Sequence, residues 1–266
     1  MKNTFLVLRT LALFSVGTFA CAREEPVATP SNDGVVKVAF DALDARVAAV
    51  HDYEYDGVVK DSSGRTAKFH FAFSQPTFTS VEVEGSHAFV FDGVVLVGFD
   101  HKEKKTQIQK MDAFPEETRL LVLHQTFSAF SGEGFRPPLL RKQGLQARVE
   151  RDAQGDLWVL RSVIEDAQVA ALEVRLRSPD GAFVSKTFVD KQGKASSQTA
   201  VTSTMKDPAT GLSFPLGWKT TMGNDAVEVA LSGVRINQGI AKERFSTTPP
   251  SGYSPLAPEV KDAKQP

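Results

Sequence analysis

The chain has 266 residues, with 31 lysines and arginines against 32 aspartates and glutamates. Two of the basic residues and none of the acidic ones lie within the first 20 positions, so the rest of the chain has a net charge of −3. This balance argues against nucleic-acid binding, which needs a basic surface. The length suffices for one well-packed domain or two small ones.

The first 20 residues form a predicted signal peptide. Lys2 and Arg9 give a positively charged N-terminal region, and a short apolar run from residue 11 to residue 19 follows. Small residues come next, as at a signal cleavage site. The apolar run is too short for a membrane-spanning helix, which needs about 20 residues. The sequence therefore predicts an exported protein of the bacterial cell envelope.

Cys21 is the only cysteine in the chain, so no intramolecular disulfide is available to it. Two processing routes fit its position: cleavage before Cys21, with the cysteine lipidated as in bacterial lipoproteins, or ordinary cleavage after Ala22. Lipidation is favoured because it explains both the presence and the place of the cysteine. Ala22 is not the aspartate that retains enterobacterial lipoproteins in the inner membrane. The anchored protein is therefore expected at the outer membrane, facing the periplasm.

Polar, proline-containing segments delimit the predicted domain. Residues 21–35 are interpreted as a lipid anchor and flexible tether, and residues 247–266 as a disordered tail. One folded domain is expected between them, from residue 36 to residue 246.

Two helices are predicted within this domain. In the first, over residues 35–52, Phe40, Leu43, Val47 and Val50 recur at helical spacing. The second follows Pro115, which suits the first position of a helix. Its apolar stripe is broader than a surface helix requires, and its members are Leu120, Leu123, Phe127 and Phe130, widened by Leu121 and Val122.

Most of the remaining chain alternates between apolar and polar residues and is interrupted by short aspartate-glycine turns. Examples are "FHFAF" at 69 and "LEVRL" at 172. Short strands joined by such turns predict an antiparallel meander of about ten strands. Together with two or three helices, the pattern predicts an α+β fold built on one large, curved antiparallel sheet.

The segment "HAFVFDGVVLVGFD" at 87 departs from the alternation. Its second arm, from Val94 to Phe99, is apolar at every position except Gly98. A strand with one solvent-exposed face would alternate between apolar and polar residues. We therefore expect a tight hairpin that is covered on both faces, with Val94 and Leu96 on one face and Val95, Val97 and Phe99 on the other. The sequence leaves open whether a packed terminal segment or a partner protein covers the convex face.

Asp52, Glu54 and Asp56 occupy alternate positions of one predicted strand and share a face. Three carboxylates in a row are capable of binding Ca²⁺. A solvated strand face near a sheet edge is the more common role of such a row. The sequence therefore predicts no metal site.

Several of these features together resemble the LolA/LolB family of periplasmic lipoprotein carriers and receptors. They are an N-terminal helix, a phenylalanine-rich strand before "SQPTF", the unit "FDGVVLVGFDHKEKKTQIQKM", a helical insertion, and a late "VRINQGIAKERFSTTPPSGY". The resemblance implies an unclosed β-barrel whose concave, apolar interior is lidded by the helices. It also implies that acyl chains of lipids or lipoproteins are held there, and a part in lipoprotein or lipid trafficking to the outer membrane.

The candidate cavity residues are apolar side chains on the predicted inner strands and on the second helix. Phenylalanine is abundant, at 19 residues. Its ring supplies apolar surface without the hydroxyl of tyrosine or the N–H of tryptophan. The predicted set is Phe69, Phe71, Phe73, Phe89, Phe91, Leu96, Leu120, Leu123 and Phe127.

No catalytic residue, cofactor or metal is predicted. The five histidines are scattered over separate elements, and neither H-E-x-x-H nor a G-x-S-x-G nucleophile elbow occurs. The sequence therefore favours a binding protein over an enzyme. The alternative is a sensor or regulator that binds a periplasmic protein partner on the same scaffold.

Overall fold

The computed structural model describes residues 33–131, 145–164 and 169–256. The described chain contains helix α1 (Asp33–Ala49), helix α2 (Glu116–Ser131) and a short 3-10 helix (Lys242–Phe245). It also contains fourteen strands. In chain order these are β1 (Asp52–Asp61), β2 (Thr66–Ser74), β3 (Phe78–Val83), β4 (His87–Phe91), β5 (Val95–Asp100), β6 (Lys105–Lys110), β7 (Leu145–Asp152), β8 (Gly155–Val163), β9 (Val169–Arg177), β10 (Ala182–Asp190), β11 (Ala195–Lys206), β12 (Ser213–Met222), β13 (Asp225–Ile236) and β14 (Ser254–Pro255).

All fourteen strands belong to one sheet, in the order β14-β6-β5-β4-β3-β2-β1-β13-β12-β11-β10-β9-β8-β7. Two antiparallel meanders, β1 to β6 and β7 to β13, are joined where β1 pairs with β13. The terminal strands β14 and β7 are not neighbours in this order, so the described sheet stays open. This confirms the predicted class, a large unclosed antiparallel sheet, with more strands than the expected ten. Serine- and threonine-rich β11, "ASSQTAVTSTMK", shows why, because its sequence lacks a clear apolar alternation.

Both helices lie on the same face of this sheet, which we call the inner face. α2 packs on a cluster that contains Phe71 and Val229, and α1 packs on a second cluster to which Val201 contributes. Val229 pairs with Trp218, which in turn pairs with Val201. Directly paired residues point to the same side of a sheet. The register therefore joins the two clusters across one continuous face.

α1 follows its predicted stripe only in part. Phe40 and Leu43 are buried against β8 to β10, but Val47 is 54% exposed. Arg46 is buried instead, with its guanidinium 4.5 Å from the centre of the Phe214 ring. The stem and planar head of an arginine can cover apolar surface as well as a valine does, so hydrophobic spacing alone misplaced this face.

The segment from Ile240 to Leu256, here called the C-terminal strap, covers the outer face of the β4–β5 hairpin. Phe245 is buried against Ala72, Ala88, Val90, Val97 and Phe99, and Ile240 and Tyr253 pack around this group. The strap ends where Ser254 and Pro255 run parallel to β6. Leu96 faces the inner cluster, so the hairpin is covered on both sides, as its sequence predicts.

The domain is longer at both ends than the predicted range of 36–246. α1 already begins at Asp33, inside the predicted tether. Residues 247–256, predicted as the start of a disordered tail, are part of the packed structure, because Thr247 donates to Asp92 at 3.1 Å and β14 pairs with β6. The predicted signal peptide, Cys21 and residues 257–266 lie outside the described residues.

Candidate functional site

The predicted cavity residues come together between α2 and the first meander. Phe69, Phe71, Phe91, Leu96, Leu123 and Phe127 are buried in one cluster, with Phe73 and Phe89 partly buried at its margin. We call this group, with Val229 and Trp218, the α2 cluster. The side chain of Leu120 lies outside the described part of the chain. Sequence reasoning missed Tyr55, Met111 and Trp218, which are also buried there.

Close aromatic packing fills the α2 cluster. The ring centroids of Tyr55 and Phe71 are 5.2 Å apart, and those of Phe69 and Phe130 are 5.1 Å apart. Gly57 makes room for the ring of Phe69, since a Cβ on this glycine would lie 2.2 Å from the ring. These side chains are in mutual contact and fill the space between α2 and the sheet.

One hydrogen bond ties α2 to the sheet inside this cluster. The buried hydroxyl of Tyr55 on β1 donates to the backbone carbonyl of Phe130, 2.5 Å away at the end of the helix. The last carbonyls of a helix have no partner within the helix. Tyr55 therefore satisfies one of them and holds the end of α2 against the strand.

Between the two clusters lies a strip of the inner face that belongs to neither of them. We call it the central strip, and its members, all half-buried, are Lys186, Phe188, Ser197, Thr199, Thr220 and Met222. The hydroxyls of Thr199 and Thr220 lie 3.0 Å apart. The ammonium of Lys186 is 5.8 Å from the centre of the Phe188 ring. The strip thus combines apolar and polar groups in a partly enclosed position.

Burial lowers the pKa of Lys186 to about 8. The lysine still has some exposed area, so its side chain is only partly withdrawn from water. A charged ammonium is disfavoured in such surroundings, because the protein replaces part of its hydration. Sequence reasoning missed this residue. In "FVSKTFVD" the alternation groups Lys186 with Phe188, but it does not show that this side of the strand faces inward.

The carboxylate row of β1 has structural partners on the outer face. Glu54 pairs with Arg235 at 2.7 Å, and His70 lies between Glu54 at 3.4 Å and Asp56 at 2.9 Å. Asp52 accepts hydrogen bonds from the backbone of residues 238 and 239. These contacts hold the strand and the turn that precedes the strap. Among the residues that the structure describes, no group of three His, Cys, Asp or Glu is arranged to hold a metal ion.

Neither helix in the described ranges combines the length and the hydropathy needed to cross a membrane.

Solved structures with this architecture cover most of the chain. A DUF1329 family protein from Desulfovibrio piger superposes with a TM-score of 0.57 at 12% identity, covering 80% of this chain and 97% of its own. A domain from Vibrio parahaemolyticus, described as an outer-membrane lipoprotein-sorting protein, gives 0.54 at 13% identity, with 79% and 97% covered. A LolA superfamily protein from Nitrosomonas europaea gives 0.53 at 10% identity, with 79% and 97% covered.

The chain has the fold of the LolA superfamily. This finding confirms the structural side of the resemblance seen in the sequence. No protein-family model and no curated protein matches the sequence itself. At identities of 10 to 13% the likeness concerns the LolA fold alone.

Proposed function

We propose that this protein is a non-enzymatic acyl-chain binding protein of the bacterial envelope, which takes chains of lipids or lipoproteins between its helices and the inner face of the sheet. The observation that carries the proposal is the continuous inner face of the sheet, on which the half-buried central strip separates two apolar clusters beneath the helices. The LolA fold supports it, because one structure that shares the fold is described as a lipoprotein-sorting domain.

The binding energy comes from burial of the chain, at about 0.8 kcal/mol per methylene. A long chain extends beyond the strip, and the nearest apolar surface is the α2 cluster. Its side chains are already packed, so the ligand has to replace contacts that α2 makes with Phe71 and Phe91. α2 therefore acts as a lid in this proposal, and the hydrogen bond from Tyr55 holds it against the sheet.

We further propose that a signal peptide at residues 1–20 directs export and that Cys21 carries a lipid anchor at the outer membrane, facing the periplasm. Such an anchor would place the domain where lipids or lipoproteins arrive for insertion. The test is incorporation of labelled palmitate in the producing bacterium. Label on the native chain and none on Cys21→Ala is expected, whereas equal label on both would contradict the anchor.

The binding test uses the whole chain carrying Cys21→Ala. This change leaves small residues at positions 20 to 22, so export and ordinary cleavage are expected to continue. The chain recovered from the periplasm should carry lipid in native mass spectrometry and should enhance the emission of an acyl-chain fluorophore. A lipid-free chain that leaves the fluorophore unchanged would contradict the proposal and leave the regulatory alternative.

A matched pair of variants locates the binding surface. Leu123→Asp places a charge in the α2 cluster, where Leu123 is 2% exposed. Val163→Asp places the same charge on the outer face of β8, where Val163 is 55% exposed. Loss of fluorophore binding is expected only for Leu123→Asp. Circular dichroism establishes that each variant is folded, and equal binding by two folded variants would show that the chain does not bind at α2.

A further inference from the structure

Strand β7 forms one end of the described sheet. It pairs with β8 on one side, and no described strand lies on its other side. The inner surface of this strand is accessible to water, because Val149 is 52% exposed and the side chain of Arg151 is 77% exposed. An edge strand with a free row of backbone N–H and C=O groups is able to pair with another extended chain.

Alternate residues of β7 direct their backbone groups to the free side. A two-residue turn joins β7 to β8, and Asp152 and Gly155 close it as a directly opposed pair. The residues that close such a turn hydrogen-bond to each other, so Asp152 directs its backbone groups toward β8. Glu150 and Arg148 do the same, because the pattern repeats every second residue. The residues whose backbone groups point to the free side are Ala147, Val149 and Arg151.

A second copy of the same chain fits this edge. Two copies of β7 that pair antiparallel about a two-fold axis would extend the sheet. When the free sides face each other, two registers use most of the strand. One is centred on Arg148 and pairs residues 145–151, and the other is centred on Val149 and pairs residues 146–152. The side chains that meet decide between the two registers.

Charge favours the register centred on Val149. It places Arg148 of each copy opposite Glu150 of the other, so two pairs of unlike charge form on the outer face. The register centred on Arg148 would place two arginines opposite each other, which is unfavourable. Within one chain Arg148 already contacts Glu150 at 2.7 Å, and the second copy adds a carboxylate to this existing pair. Charges on an edge strand usually oppose pairing, but the order of these two favours one register.

The inner side of the same register is apolar at its centre. Val149 lies opposite its counterpart in the second copy, so pairing withdraws both side chains from water. The cluster beneath α1 includes Leu145 and Ala147, near the start of β7. Because the two strands run antiparallel, the two α1 helices lie toward opposite ends of the paired strands. The helices therefore leave the centre of the pairing accessible.

We propose that the chain forms a two-fold homodimer by antiparallel pairing of β7, centred on Val149 and with Arg148 opposite Glu150 of the second copy. The dimer is one continuous sheet, and the inner faces of both copies lie on the same side of it. This inference concerns the edge of the sheet and does not depend on acyl-chain binding.

Cysteine cross-linking tests the register. The whole Cys21→Ala chain contains no other cysteine, so Val149→Cys introduces a single thiol at the centre of the proposed pairing. Hydrogen-bonded residues of an antiparallel pair are about 5.5 Å apart at Cα, a distance that a disulfide spans. Arg151→Cys is the matched control, because it lies on the same side of the same strand but opposite Ala147 in this register. Mild oxidation should give a covalent dimer with Val149→Cys and none with Arg151→Cys. No covalent dimer from either variant, or equal amounts from both, would overturn the inference.

Charge exchange tests the ionic pairs. Arg148→Glu and Glu150→Arg each place like charges opposite each other, and each should weaken self-association about tenfold in sedimentation equilibrium. An equimolar mixture of the two variants restores both unlike pairs and should form the dimer again. Recovery in the mixture would also show that both variants are folded. Lys219→Glu, on the outer face of β12, should leave self-association unchanged.

Three results of the sedimentation experiment would contradict the proposed dimer. They are a chain that stays monomeric at every concentration, single variants that associate as the unmodified chain does, and a mixture that stays monomeric although circular dichroism shows both variants to be folded.

Discussion

The two halves of the sheet are covered differently, although both are antiparallel meanders. The first half, β1 to β6, carries α2 on its inner face and the C-terminal strap on its outer face. The second half carries α1 on its inner face, while its outer face bears ion pairs such as Arg148 with Glu173 at 3.1 Å and Arg177 with Asp152 at 2.7 Å. Apolar residues on both faces of a strand require two covering layers, whereas alternation requires one. Among the described residues, the central strip lies on the inner face between the clusters beneath α2 and α1.

The strongest test of this difference is removal of the aromatic ring that fixes the strap. Phe245→Ala empties a site where the side chain is 7% exposed, and about 3 to 5 kcal/mol should be lost from the free energy of unfolding. Val163→Ala on the outer face of the second half, 55% exposed, should change it by less than about 0.5 kcal/mol. Urea unfolding measures both. Similar losses would mean that the outer faces do not differ.

Lys186→Met tests the central strip. Unlike Phe245→Ala, this change is expected to raise the free energy of unfolding. The lysine has a pKa of about 8 in the folded chain against an ordinary 10.5. Below pH 8 it is charged in both states, and the folded state bears the cost of partial dehydration. The variant should therefore be more stable at pH 7 by about 1 to 3 kcal/mol, the lower part allowing for residual hydration.

This advantage should shrink between pH 8 and pH 10.5. Over that range the folded chain releases the Lys186 proton while the unfolded chain still holds it, so the stability of the unmodified chain rises relative to the variant. Urea unfolding of both chains at pH 7, 9 and 10.5 follows the difference. A constant difference across the three pH values would show that the lysine is not buried in the folded state.

Tyr55→Phe tests the hydrogen bond that holds α2 against the first half of the sheet. The variant keeps the ring in the cluster and removes the donor to the Phe130 carbonyl. A buried acceptor that loses its partner costs about 1 to 3 kcal/mol. We expect lower stability and faster uptake of the acyl-chain fluorophore in stopped-flow measurements. Tyr253→Phe removes a hydroxyl of the strap that lies 2.6 Å from the ring of His101. This variant should leave the uptake rate unchanged.

The smallest expected effect concerns the ionic outer face of the second half. Burial alone would raise the pKa of Glu173, but hydrogen bonds from Arg148 and Arg175 outweigh it and lower the pKa. The carboxylate therefore stabilises the folded chain above its ordinary pKa, and this contribution is lost as the pH falls through the lowered value. Glu173→Gln should cost about 0.5 to 1 kcal/mol at pH 7 and low salt. In 1 M salt the cost should diminish, and an undiminished cost would contradict an ionic origin.

Much of the first half was predictable because its signals are local. Alternation in "FHFAF" correctly grouped Phe69, Phe71 and Phe73, and helical spacing correctly grouped Leu123, Phe127 and Phe130. The apolar arm of the β4–β5 hairpin correctly indicated cover on both faces. The sequence left open whether a terminal segment or a partner protein supplies the outer cover. The strap carries prolines, glycine and polar residues, and only Ile240, Phe245 and Tyr253 in it make the apolar contacts.

The central strip shows what the sequence leaves open. A period of two assigns Lys186 and Phe188 to the same side of β10, and Thr199 to the same side as Val201 in β11. It does not reveal which side carries the helices, because that depends on pairing between distant strands. The sequence alone therefore does not reveal that Lys186 faces the helices.

By itself, the sequence determined the periodic elements, the two-sided burial of one hairpin and the apolar side chains that form the α2 cluster, since each depends on spacing within a few residues. The tertiary structure alone decided that both helices cover the same face, that the strap closes the other, and that an ammonium lies between two apolar clusters. The physical reason is the pairing of β1 with β13. This non-local pairing aligns the two meanders and so gives them a common inner and a common outer face.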